Sequence, residues 1–160
     1  MKKILSLLIL LSLLGCATKN QNQPPRISVK LNGTAVEVQN FIEERFRQKN
    51  ASFYVESATD REIVFKANCM DTPGMNAFKC SLIMMSVGNS GWDGPFSVIT
   101  FRTSEIRGVV NLTASSKWCA TNAFGKTNCR NSGSNAEHNE LMRKIETAFQ
   151  QEIRPLAQKQ

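Results

Sequence analysis

The chain holds one histidine, His138, and no two of its cysteines are spaced Cys-x-x-Cys. Those scarcities argue against the common zinc sites, which gather four cysteine and histidine donors at short spacing. They also leave little for acid–base chemistry, since histidine is the side chain that most often moves protons near neutral pH. His138 falls in the first turn of a predicted helix with no acid or nucleophile beside it in sequence, and is read as an exposed surface residue. No glycine-rich phosphate loop leads into a helix. Ser132-Gly133-Ser134 lacks the strand–turn–helix context of a nucleophile elbow and reads as a linker and helix cap. Glu43 and Glu44 are neighbours on a predicted helix, point in different directions and make no carboxylate pair. No internal repeat is visible. The expectation is a non-enzymatic protein with no catalytic residue, no cofactor and no metal.

What is present begins at the amino terminus. Lys2 and Lys3 precede an apolar run, Ile4 to Leu14, broken only by Ser6 and Ser12. A spanning helix needs ~17–25 apolar residues, so this run is a leader and not a membrane span. It closes on Leu13-Leu14-Gly15-Cys16, which resembles the lipobox of bacterial lipoproteins. The resemblance covers the first sixteen residues. It implies cleavage after Gly15 and acylation of Cys16 by a diacylglycerol and an amide-linked third chain, palmitate-like in length. Each buried methylene contributes ~0.8 kcal/mol, so two or three chains make a lasting anchor. Ala17, where an Asp favours the inner membrane in enterobacterial lipoproteins, leans the expectation toward the periplasmic face of the outer membrane.

Without Lys2 and Lys3, 18 of the 20 basic side chains remain against 13 acidic ones, a net charge of +5. An exported, lipid-anchored protein rarely meets nucleic acid, so the basic balance points to solubility or to anionic partners in the envelope. Apart from Cys16, four cysteines remain: Cys69, Cys80, Cys119 and Cys129. An even number in an exported domain reads as two disulfides, with three pairings possible. The favoured pairing is Cys69–Cys80 and Cys119–Cys129, because each pair brackets a short, turn-rich segment.

Residues 16–26 form a lipidated cysteine and a polar tether ending in Pro24-Pro25, and a single domain spans 27–160. Ile27, Val29 and Leu31 alternate with polar residues at strand period. Thr34 to Glu37 is a capping box opening a helix over about 35–48. Strand-like runs follow at 52–56 and 62–67 around a tight turn, at 81–87, at 96–102 and at 108–117. Residues 122–135 are a polar excursion. Ser134 to Glu137 is a second capping box, and Leu141, Met142, Ile145, Ala148, Phe149 and Ile153 make one apolar stripe ending near Pro155. This order defines an α+β domain. It has an antiparallel sheet of about five to six strands, with an N-terminal helix and a long C-terminal helix packed on one face.

The contact candidates are Trp92, in the glycine-rich loop 88–95, and Lys126 and Arg130, on the loop that the second disulfide encloses. Trp118 is expected to pack on the adjoining disulfide. Two functions fit. The first is a protein–protein interaction module of the envelope, either an accessory subunit of a complex or an inhibitor or immunity protein. The second is a carrier of an apolar ligand such as a lipid, with Ile83, Met84, Met85, Phe96 and Val98 lining a cavity under the sheet.

Overall fold

The structure, a computed structural model, describes residues 27–88 and 94–157. Cys16, the tether and Trp92 lie outside the described residues, as does the side chain of Ile153. In chain order the elements are β1 (Ile27–Asn32), α1 (Ala35–Lys49), β2 (Tyr54–Ala58), β3 (Glu62–Asn68) and a 3-10 turn (Cys69–Asp71). They continue with α2 (Ala77–Val87), β4 (Pro95–Ile106), β5 (Val109–Thr121), β6 (Thr127–Asn131) and α3 (Asn135–Ala157). The six strands form one antiparallel sheet in the order β1-β5-β4-β3-β2, with β6 also on β5. β1 pairs with residues 109–114 of β5 and β6 with residues 117–121, so both share its outer edge end to end.

Alternation along the strands builds the core. Ile63, Phe65 and Ala67 of β3, Phe101 of β4, Val110, Leu112 and Ala114 of β5, and Leu31 of β1 turn to one face. α1 covers that face with Val38, Phe41, Ile42 and Phe46, and α3 with Met142 and Phe149. Phe46 is the hub, with ring centroids 4.5 Å from Phe65, 5.3 Å from Phe53 and 5.7 Å from Phe101. Each such aromatic pair adds ~0.5–1.5 kcal/mol beyond area burial.

Both capping boxes form. Thr34 Oγ1 accepts from the amide of Glu37 at 3.2 Å, while the Thr34 amide donates to Glu37 Oε2 at 2.7 Å. Ser134 and Glu137 repeat the pattern, the Ser134 amide donating at 2.6 Å. Glu105 reaches from β4 to accept from the amide of Ala35 at 2.8 Å, so the sheet also caps α1. These caps set where the two large helices start relative to the strands before them.

The expected strand at 81–87 is instead the second half of a helix, α2. Its sequence is apolar on nearly every side, so no 3.6-residue period separates core from surface. Phe78, Leu82 and Met85 face solvent, whereas Cys80 and Val87 are buried. The helix is specified at its ends. Asn76 Oδ1 accepts from the amide of Lys79 at 2.9 Å, and Gly88 stops the helix with φ +73°. A disulfide, Cys69–Cys80, ties it to the 3-10 turn, and α2 lies beside β4, β5 and β6.

Candidate functional site

The second disulfide, Cys119–Cys129, joins directly opposed residues of β5 and β6. The expected polar excursion at 122–135 therefore contains a strand, residues 127–131, that returns along β5. Its turn is closed by asparagine chemistry. Asn122 Oδ1 accepts from the amides of Phe124 at 3.0 Å and Lys126 at 2.9 Å. The Asn122 amide donates to the Lys126 carbonyl at 2.9 Å, and Gly125 takes the left-handed conformation at φ +76° that the turn requires. Thr121 and Thr127 hydroxyls meet at 2.8 Å just below. The Gly125 amide also donates to the Asn122 carbonyl at 2.9 Å, so the hairpin is braced near its apex by five hydrogen bonds and lower down by a covalent bond.

At that apex Phe124 is 94% exposed. Lys126 is exposed two residues on, and Arg130 is exposed on β6, opposite Trp118 in register. From Arg107 to Ala136 the sequence has four basic residues, Arg107, Lys117, Lys126 and Arg130, and no acidic one. The hairpin therefore presents an apolar ring with Lys126 exposed two residues away and Arg130 exposed further along β6, while Arg107 lies at the opposite end of β5. Lys126 stands at the hairpin's apex and Arg130 four residues further along β6, and Phe124 is the residue that sequence reasoning passed over. The signal was available: a phenylalanine between turn-forming Asn122 and Gly125 has no strand neighbour to bury it.

The base of the hairpin is locked to α3 by His138. This residue is 6% exposed, so the expectation of a surface histidine is overturned. Its Nδ1 lies 2.9 Å from the Ser134 carbonyl and its Nε2 lies 2.8 Å from Ser116 Oγ. A carbonyl only accepts, so Nδ1 carries a proton. Ser116 can give its proton to the Ser132 carbonyl, 2.7 Å away, or to Nε2, and it accepts from Ser132 Oγ at 3.0 Å. With the proton on Nδ1, Nε2 is an acceptor, and it is satisfied when the Ser116 hydroxyl donates to it. Gly133 makes room: a Cβ there would sit 2.7 Å from His138 Cε1.

A serine hydroxyl 2.8 Å from an imidazole is also the spacing of a nucleophile and its base. Here the two groups line a cavity of about 280 Å³ with Trp118, Ser132 and Leu141. Nδ1 is oriented by the Ser134 carbonyl and not by a carboxylate. The Glu137 carboxyl beside it is occupied by the helix cap. Hydrogen bonds from the Ser134 amide and hydroxyl hold it below the usual carboxylate range, with His138 adding a minor contribution. The geometry joins three backbone segments, β5, the end of β6 and the start of α3. Among the described residues, no group of three or more His, Cys, Asp or Glu side chains is placed to hold a metal ion.

A further expectation is corrected. Trp118 does not pack on the Cys119–Cys129 bridge, because neighbours on a strand point to opposite faces and Trp118 lines the cavity on the helix side. None of the residues nominated to line a ligand cavity lines this one. Met85 is exposed, and Phe96 and Val98 sit on the sheet face opposite Phe101, Phe96 lying under the ammonium of Lys66 at 4.6 Å. No helix among the described residues is long and apolar enough to cross a membrane. Comparison of the chain with family models, curated proteins and solved structures gives no match in any of the three.

Proposed function

We propose that the chain is an envelope lipoprotein, acylated at Cys16 and held at the periplasmic face of the outer membrane. It acts without catalysis, by docking the β5–β6 hairpin on a protein partner as an accessory subunit or an inhibitor. The observation that carries this reading is Phe124, 94% exposed at the tip of a disulfide-braced hairpin. Leaving a phenylalanine in water forgoes roughly 1.5–3 kcal/mol of burial. A rigid aromatic anchor loses little conformational entropy on binding, and such anchors dominate interface energies. Lys126 and Arg130 suit a partner with an apolar pocket rimmed by carboxylates.

The test is affinity purification of the lipidated protein from crosslinked cells, run in parallel for wild type, Phe124→Ala and the pair Lys126→Glu with Arg130→Glu. A partner recovered with wild type and lost with both variants supports the reading. Recovery that is the same for all three, or of lipid alone, overturns it.

A further inference from the structure

A second concavity lies away from the hairpin, between α1 and the middle of α3, residues 141–152. Its volume is about 310 Å³. Phe46 and Phe101 line it together with Ile42, Leu141, Ile145 and Ala148, all apolar. Ala148 contributes only a methyl group where the other members of the α3 stripe present larger side chains, which leaves the space open. Arg45, Lys49 and Lys144 stand among its polar lining residues against one acid, Glu152. Arg45 is paired with Glu152, and Lys144 with Glu140 at 2.6 Å. Lys49 has no ion-pair partner among the described residues.

We propose that this groove binds a free medium-chain fatty acid, its alkyl chain between α1 and α3 and its carboxylate at Lys49. Three features select that chemistry. The lining is hydrocarbon and aromatic, and a chain that leaves water for it gains in proportion to the area buried. The space holds roughly ten water-sized groups at ~30 Å³ each, which suits one chain of about ten to twelve carbons and not the two chains of a phospholipid. Among the described residues the rim has one cation without an ion-pair partner, so a single negative charge complements it, whereas a cationic head would meet repulsion. The site shares no residue with the hairpin tip, and it stands or falls independently of the docking reading.

The test uses the full chain in membrane nanoparticles cut out without detergent, and a twelve-carbon fatty acid bearing a diazirine at its far end. After irradiation the adducts are mapped by peptide mass spectrometry. The site predicts adducts on residues 41–50 and 141–152, competed by dodecanoate and not by dodecyltrimethylammonium. Lys49→Gln, an exposed change that leaves the core intact, should weaken labelling by up to roughly fivefold. Ala148→Phe should abolish it by filling the groove, with an unchanged circular dichroism spectrum as the folding control. If Ala148→Phe does not fold, the Lys49→Gln result decides alone. Adducts scattered over the surface, equal competition by the cationic amphiphile, or indifference to Lys49→Gln would each overturn the proposal.

Discussion

Replacing His138 by alanine tests whether the histidine is a structural clasp. The substitution removes two side-chain hydrogen bonds, to the Ser134 carbonyl and to Ser116. Each is worth ~0.5–1.5 kcal/mol net. No buried group is orphaned, since the Ser134 carbonyl keeps the His138 backbone amide at 3.1 Å and Ser116 keeps both contacts to Ser132. The cavity adds to the loss: roughly 60 Å³ at about 24 cal/mol per Å³ gives ~1.5 kcal/mol. Alanine's better helix propensity returns ~0.5 kcal/mol. The expected destabilisation is ~2–4 kcal/mol, read as a lowered midpoint in urea unfolding under oxidising conditions. The neighbouring Asn139→Ala, at an exposed position, should stay within ~0.5 kcal/mol of wild type. A His138→Ala protein as stable as Asn139→Ala would refute the clasp.

Gly133→Ala should act on the same clasp, because φ is +81° and the new Cβ would strike the imidazole at 2.7 Å. The backbone cost alone is ~1–3 kcal/mol, and hydrogen exchange should accelerate in β6 and the first turn of α3. Phe65→Ala empties a fully buried site under Phe46 and should cost ~3–5 kcal/mol in the same unfolding assay. The Glu137 carboxyl is held below its ordinary value of 4.5 by Ser134. Its capping contribution is therefore complete above that value and is lost as pH falls through the lowered one, which a carbon-13 titration of its carboxyl should show. A fluorophosphonate probe should leave Ser116 unlabelled; stoichiometric labelling there would make the protein a hydrolase.

The parts of the fold that are written locally were legible in the sequence. Both capping boxes, the alternation of Val29 and Leu31, the apolar stripe of α3 and the two disulfide pairs all depend on residues close together in the chain. The parts settled by tertiary packing were not. α2 lacks a polar face, so its period is silent, although Asn76 and Gly88 mark its ends. His138 looks like any polar residue in a first helical turn until Ser116, 22 residues earlier, is brought to it by the β5–β6 pairing. Lys126 and Arg130 were identified by charge. The ring between the strands, Phe124, was overlooked because a lone aromatic in a polar segment carries no periodic signal. Trp92 lies outside the described residues and stays an expectation.

The central claim is that the hairpin tip is a docking site. The most direct measurement is a photoreactive phenylalanine analogue placed at position 124 of the lipidated protein in living cells, with a control at the exposed Val36 on α1. The account predicts one discrete protein adduct from position 124 that is absent from position 36 and is lost when Lys126 and Arg130 are reversed in charge. Equal adducts from both positions, or none from position 124, would contradict it.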